Sequence, residues 1–320
     1  MTGTEHGIEP TMWAIRLHAP GGPSELVLER IETPQPGPGE ALVRVHAAAI
    51  TPDELGWPTD RLPATPSYEL SGEVAVVAPD VDTVAVGEPV WALAAFDRDG
   101  AAAEYIVVPA ALLAPKPRTL DHEGSAAVPL SALSAWQGLF DHGGLGEGGR
   151  VLIHGAAGGV GHFATQLARG RGSYVVGTTS AASVERARSF GAHEVLDPAS
   201  VRFEDSLEPV DLVFDTVGGE LLERSLAIIR PGGRLVSVAE EPPEIAPERK
   251  IETTYFVVEP NRAQLVALAA MIDAGDLRPA IDSVFPLSDA VAAFERSMAS
   301  GKRGKVILRV VGGIPDDQAS

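Results

Sequence analysis

From Met12 to about Pro117 the apolar positions fall in short β-branched runs: MWAIRLH, ELVLERIE, ALVRVHAAAI, GEVAVVA, EPVWALA and AEYIVVP. Proline and glycine break them up in PGGP, PQPGPGE and APDVDTVAVGEP. Runs of this length with turn chemistry between them predict antiparallel β-structure. Past Ser125 the period changes. AVPLSALSAWQGLFDHG reads as a helix, and the strands VLIHG, SYVVGTT, EVLD, VDLVFDTV and GRLVSVA then alternate with the helices GHFATQLARG, SVERARSFG and ELLERSLAIIRPGG. That alternation implies right-handed crossovers and a parallel, doubly wound sheet. After TTYFVVEP, the segments AQLVALAAMIDAG and DAVAAFERSMAS lead to a last strand, GKVILRV. The reading is an α/β chain in three stretches: a β domain over 1–125, a parallel-sheet domain over 126–261, and 262–320 returning to pack on the first domain. Met1–Glu9 and Gly312–Ser320 read as loose tails.

The stretch VLIHGAAGGVGHFATQLARG carries the clearest chemistry. Val151, Leu152 and Ile153 make a buried strand, and Val160, Phe163, Ala164, Leu167 and Ala168 line one face of the helix that follows. In the GxGxxG register the three fingerprint positions are Ala156, Gly158 and Gly161, with an extra glycine at Gly155. Gly158 lets the backbone approach a pyrophosphate, Gly161 allows close helix packing, and the free N–H groups at the helix start attract the charge. The residues from Gly155 through Ala157, Gly159 and Val160 to Gly161 are thus a dinucleotide cradle with alanine at its first position. At the end of the next strand an NAD site usually carries an acid for the ribose hydroxyl. Here Thr178, Thr179 and Ser180 stand in its place, with Arg186 and Arg188 on the next helix, which favours NADP. The competing reading is that the hydroxyls cap a helix and the arginines are solvated.

Length and charge narrow the partners. At 320 residues the chain exceeds the ~250 at which single cores stop growing, in keeping with two domains. A net charge of −19 repels a phosphate backbone, so nucleic acid is not expected as a partner. No apolar run approaches the ~18 residues of a membrane helix, and MTGTEHGIEP lacks the pattern of a signal peptide, so no membrane association and a cytoplasmic address are expected. The chain has no cysteine, which excludes disulfides and thiolate-ligated zinc. Its histidines, His6, His18, His46, His122, His142, His154, His162 and His193, show no HxxxH-like pair, so no metal is expected.

These residues resemble the zinc-independent quinone oxidoreductase branch of the medium-chain dehydrogenase/reductase superfamily. The resemblance runs over nearly the whole chain, through AIRLHAPGGPSELVLE, ALVRVHAAAITPDE, PATPSYELSGEV, AAAEYIVVP, AAVPLSALSAWQGLFD, RVLIHGAAGGVGHFATQLA, FDTVGG, YFVVEP and GKRGKVILRV. It implies a GroES-like antiparallel β-barrel domain beside a Rossmann domain, NADPH as hydride donor, and a homodimer. In that branch GAAGGVG is a common spelling of the turn. The resemblance adds Ser134, Val217, Val238 and Phe256 to the cofactor site and puts Thr51, Trp57, Tyr68, Tyr255 and Phe256 around the substrate. Two segments depart from the pattern. ITPDE has Thr51 where the family has asparagine, and PSYELSG has Ser67 for glycine, Tyr68 added and Glu69 for aspartate.

Alcohol oxidation in zinc-containing relatives uses the metal as a Lewis acid. Reduction of a quinone or α,β-unsaturated carbonyl asks for less: hydride adds to the electron-poor carbon and a positioned donor or water meets the charge on oxygen. Tyr68 is the first candidate donor and Thr51 the second; a Tyr68 simply packed in its domain is the alternative. The expected function is therefore an NADPH-dependent, zinc-free reductase of quinones or enones. A dedicated biosynthetic enoyl reductase and a non-catalytic NADPH-binding protein stay open.

Overall fold

The computed structural model describes residues 7–57, 60–245 and 247–313, so most of both expected tails lies outside the described residues. In chain order the elements are β1 (Thr11–Leu17), β2 (Leu26–Glu32), β3 (Glu40–Ile50), β4 (Glu69–Val77), β5 (Pro89–Leu93), β6 (Tyr105–Pro109), β7 (Ala114–Pro115), α1 (His122–Ala126) and α2 (Pro129–Trp136). There follow β8 (Arg150–His154), α3 (Gly161–Gly170), β9 (Tyr174–Thr178), α4 (Val184–Ser189), β10 (Glu194–Leu196), β11 (Val210–Asp215), α5 (Glu220–Ser225), β12 (Ile229–Ser237) and β13 (Glu252–Tyr255). The chain ends with α6 (Arg262–Ala274), β14 (Ile281–Pro286), α7 (Ala290–Met298) and β15 (Lys305–Arg309).

Two compact units result. The first holds residues 1–130, 260–273 and 279–320; the second holds 131–259 and 274–278. The divisions fall at 130/131 and 259/260 instead of 125/126 and 261/262, and 274–278 stays with the second unit. A physical tie accounts for that last stretch: the Gln166 amide of α3 and the backbone of Arg278 exchange two hydrogen bonds, 3.0 and 3.1 Å long.

The first unit is a seven-stranded sheet in the order β14-β15-β3-β4-β5-β7, with β6 on β3, and a β1–β2 hairpin beside it. All pairs are antiparallel except β14–β15. Strand β14, IDSVFP, has no clean alternation to announce it and is half-buried along most of its length. The long strand β3 carries a register shift between Val45 and Ala47 opposite Gly72 and Ser71, which leaves His46 as an extra, bulged residue. Gly72 permits this, because a Cβ there would lie 2.1 Å from the Arg44 carbonyl oxygen.

The second unit is an all-parallel sheet in the order β10-β9-β8-β11-β12-β13. Renumbered within the unit this is 3-2-1-4-5-6, the doubly wound order whose switch point lies between β8 and β11. Its central strands are continuous apolar runs because both faces are covered. Leu152, Val176, Val213 and Leu235 from four of them form one core with Phe203 and Leu222. One expected helix is shorter than its pattern. In ELLERSLAIIRPGG, α5 ends at Ser225 and a single 3₁₀ turn runs to Ile228. Ile229 then pairs with Val210 as the start of β12. Pro231 cannot continue a helix, and Gly232 adopts φ 83°, so Arg230–Gly233 bulges out before the register resumes at Arg234.

Candidate active site

In the second unit the glycine turn joins β8 to α3 at the carboxyl end of the sheet, beside the switch point. Gly155 sits at φ 71°, and Gly158 N–H closes the turn onto its carbonyl at 2.7 Å. A Cβ at Gly161 would lie 2.0 Å from the Gly155 oxygen, so only glycine lets α3 start this close to the strand. At Gly158 the same test finds one neighbour, at 3.1 Å, and the residue is exposed, with Gly159 and Val160 half-exposed beside it. At the start of the ten-residue α3, His162 N–H donates to the Gly158 carbonyl and the N–H groups of Phe163 and Ala164 to that of Val160, so the donors left for a ligand are those of Ala157, Gly159, Val160 and Gly161. An open backbone surface with unspent donors fits a pyrophosphate.

Ala156 is fully buried, its N–H donating to the Thr178 carbonyl at 3.0 Å and its methyl group turned onto Gly177 of β9. It therefore takes nothing from the open side of the turn. Ala157 is buried as well. After β9 the three hydroxyls part company. Thr178 turns inward to His154 Nδ1, 2.8 Å away, and His154 Nε2 meets Ser225 Oγ at 2.5 Å. Ser225 spends its own proton on the Leu221 carbonyl, so it accepts from His154, and Thr178 in turn donates to the ring. Burial keeps that imidazole neutral, lowering its pKa well below the usual range against the opposing pull of Asp215. Only Thr179 and Ser180 remain accessible at the strand end. Arg186 packs its guanidinium 5.6 Å from the Phe190 ring, and Arg188 pairs with Glu185 at 2.6 Å.

Farther along the strand ends, the Asp215 carboxylate accepts from the N–H groups of Val217 and Gly218 and from Ser237 Oγ. This holds the FDTVGG turn and leaves Val217 exposed, with Val238 half-buried. Ser134 is buried in α2. Tyr255 is exposed, whereas Phe256 is buried against His142 with ring centroids 4.4 Å apart. Asp215 and its ties were missed in the sequence, where FDTVGG is a strand end and a segment of the family resemblance that contributes only Val217.

The first unit gathers a second set. Thr51, half-buried, accepts a hydrogen bond from Lys305 Nζ at 3.1 Å, and Lys305 also pairs with the buried Glu69. The other Glu69 oxygen accepts from Leu130 N–H at 2.9 Å. Glu54, 1% exposed, accepts from Ser67 Oγ at 3.3 Å. Burial pushes its carboxyl up to about 8, with Lys305 pulling the other way, so Glu54 is protonated at neutral pH. Ser67 sits at φ 68°, a conformation that favours glycine. This is the position where the resembling family has glycine, and the serine uses it to reach Glu54. Sequence reading missed Glu54, Ser67 and Lys305. The one signal was the glycine-to-serine departure, since a lone lysine opening GKVILRV looks like any solvated strand start.

Tyr68 does not join this group. It is fully buried, stacked on Trp57 at 5.6 Å and edge-on to Phe96 at 5.3 Å, and its hydroxyl accepts from Arg61 at 2.8 Å. Burial raises its pKa, which the Arg61 cation opposes. A phenol held this way braces the loop. The Thr51, Glu54, Glu69 and Lys305 cluster also does not fit a catalytic zinc: it offers no thiolate or imidazole, a protonated carboxyl, and a lysine ammonium already paired to the remaining carboxylate. Elsewhere in the unit, His46 and His122 lie together with Glu73, a grouping that no spacing along the chain reveals. Among the described residues no helix is long and apolar enough to cross a membrane.

Two protein families match segments of the chain: alcohol dehydrogenase GroES-like domain over residues 37–118 and zinc-binding dehydrogenase over 190–308. A probable zinc-binding oxidoreductase, mitochondrial, of Arthroderma benhamiae is 32% identical, over 89% of this chain and 93% of the relative. The 2-methylene-furan-3-one reductase of Solanum lycopersicum is also 32% identical, over 94% of this chain and 80% of that one. Among solved structures, the quinone oxidoreductase of Coxiella burnetii superposes with a TM-score of 0.86 at 30% identity, covering 94% of this chain and 99% of its own.

Proposed function

We infer that this chain, which belongs to the medium-chain dehydrogenase/reductase superfamily of NAD(P)H-dependent oxidoreductases, reduces quinones or α,β-unsaturated carbonyls with NADPH and without zinc at the Thr51 cluster. The observation that carries the reading is the Thr51–Lys305 hydrogen bond. Because Lys305 donates to Thr51 Oγ, the threonine proton points elsewhere, on a hydroxyl polarised by a buried cation. Such a group donates to an oxygen that gains negative charge, and the stabilisation grows as the charge develops. Lys305 is a positioning residue in this scheme, fixed by Glu69.

In the second unit the N–H groups of Ala157, Gly159, Val160 and Gly161 hold the pyrophosphate, Thr179, Ser180 and Arg186 select a 2′-phosphate, and Val217, Val238 and Phe256 flank the rest of the dinucleotide. Bound NADPH supplies hydride to the electron-poor carbon. The chain's own part is to orient the acceptor, exclude competing water and donate a hydrogen bond at the carbonyl oxygen. A homodimer in the cytoplasm belongs to the same proposal. The test is NADPH oxidation, compared with NADH, over a panel of quinones and enones. Faster NADPH turnover with at least one acceptor supports the reading; binding of NADPH with no turnover on any of them overturns it in favour of a non-catalytic binding protein. Fast turnover confined to a single enone would identify a dedicated enoyl reductase.

A further inference from the structure

We propose that His46, Glu73 and His122 of the first unit form a binding site for one divalent transition-metal ion of the zinc class, separate from the Thr51 cluster. One ligand atom from each residue lies within 4.8 Å of the others, and His46 Nε2 is 3.8 Å from Glu73 Oε2. Ligand atoms about 2.1 Å from a tetrahedral ion are about 3.4 Å apart, so closure asks for a contraction of an ångström or so. The half-exposed Glu73 side chain, free to change rotamer, can supply most of it. Two imidazoles and a carboxylate are a donor set suited to zinc, cobalt or nickel, with water completing the sphere on the open side.

Each ligand is put in place by a specific feature of the fold. The bulge in β3 turns out His46, and Gly72 makes the bulge possible. Its neighbours on either side do the rest: Glu73 supplies the carboxylate, and Ser71 orients His122. Ser71 Oγ donates to the Val90 carbonyl at 3.1 Å and so must accept from His122 Nδ1–H, 2.9 Å away. The network therefore assigns the proton to Nδ1 and leaves the lone pair on Nε2, with the Ser71 hydroxyl behind the ring fixing its orientation as in known metal sites. His46 Nε2 is buried and makes no hydrogen bond. The rings face one another with centroids 4.1 Å apart, which brings the two donors to one side.

Charges around the cluster nearly balance. Arg44 and Lys116 act on it with positive charge, Asp121 and Glu73 with negative charge. Because the ligands come from β3, β4 and the start of α1, a bound ion would pin the sheet to the segment that leads into α2.

The experiment is equilibrium dialysis of the full chain against Zn²⁺, with metal counted by mass spectrometry, and titration with Co²⁺ followed by its visible absorption. One equivalent per chain and a tetrahedral or five-coordinate cobalt spectrum are expected. Glu73→Gln and Ser71→Ala should each weaken binding about tenfold or more. A His46→Gln/His122→Gln double variant should lose the equivalent. Circular dichroism and the melting temperature check that each variant is folded, and Glu73, being half-exposed, is the substitution least able to disturb the fold. Failure of the unsubstituted chain to take up a stoichiometric equivalent overturns the proposal. So does uptake that persists in the folded double variant, or that is indifferent to Glu73→Gln.

Discussion

The methyl group of Ala156 fills the space in front of Gly177: a Cβ at Gly177 would lie 2.6 Å from that of Ala156. The alanine at the first fingerprint position is thus matched by a missing side chain on the neighbouring strand β9, and the open face of the turn is untouched. Gly177→Ala should overpack this contact and destabilise the chain by about 1–3 kcal/mol. Ala156→Gly in the same chain should recover most of the loss. Urea unfolding of the four members of that double-mutant cycle measures the coupling. Additive effects would show that the two residues do not share the space.

Cofactor preference should reside in Ser180 and not in Thr178. Ser180→Asp restores an acid at the strand end and should raise KM for NADPH relative to NADH about tenfold or more, a difference of about 1.4 kcal/mol. Thr178→Val should leave that ratio alone and instead lower stability by about 1–3 kcal/mol, since His154 Nδ1 would be buried without its partner. Steady-state kinetics with both dinucleotides and a denaturation curve separate the two outcomes. A cofactor switch on Thr178→Val would reverse the assignment.

What the sequence made legible follows from the range of the interactions. Strand β8, the glycine turn and helix α3 are contiguous, and their periodicity states the local geometry outright. The 3-2-1-4-5-6 order follows from alternation plus the handedness of crossovers. The Thr178 hydroxyl was misjudged because strand alternation tells which face a residue takes only when the last paired residue is known, and β9 pairs through Thr178 itself. Lys305 and Thr51 are 254 residues apart, so their hydrogen bond has no local trace. His46 is out of reach for another reason. A bulge shifts the side-chain alternation by one residue, and its cause, the approach of the Arg44 carbonyl to Gly72, is on a different strand.

Thr51→Val should lower kcat on enones about 10²-fold, as loss of one oxyanion donor does, with KM for NADPH unchanged. Lys305→Met should act on both activity and fold, because it leaves Glu69 buried and unpaired, a cost of about 3–5 kcal/mol. Adding Glu69→Gln should restore much of that stability without restoring kcat. Kinetics alongside thermal melts make the distinction, and full activity in the double variant would remove Lys305 from the mechanism.

Stability should peak near pH 6.5 and fall on both sides, for opposite reasons. Glu54 has a carboxyl raised from 4.5 to about 8, so between those values the folded chain holds a proton that the unfolded chain has lost. Stability therefore declines as pH rises through that window, by on the order of 3–5 kcal/mol in all. His122 and His154 have the reverse sign. Their folded pKa values lie below the usual 6.5, that of His122 at about 4, so between the two values the unfolded chain binds protons that the folded chain does not. Their contribution is complete above 6.5 and is lost as pH falls toward 4. From 4.5 to 6.5 the two histidines outweigh Glu54, and above 6.5 Glu54 acts without them. Glu54→Gln keeps the neutral shape and can still accept from Ser67, so it should flatten the alkaline limb of a melting-temperature profile between pH 5 and 9 while leaving the acid limb in place. An alkaline decline of undiminished slope in that variant would mean that Glu54 is not the group responsible.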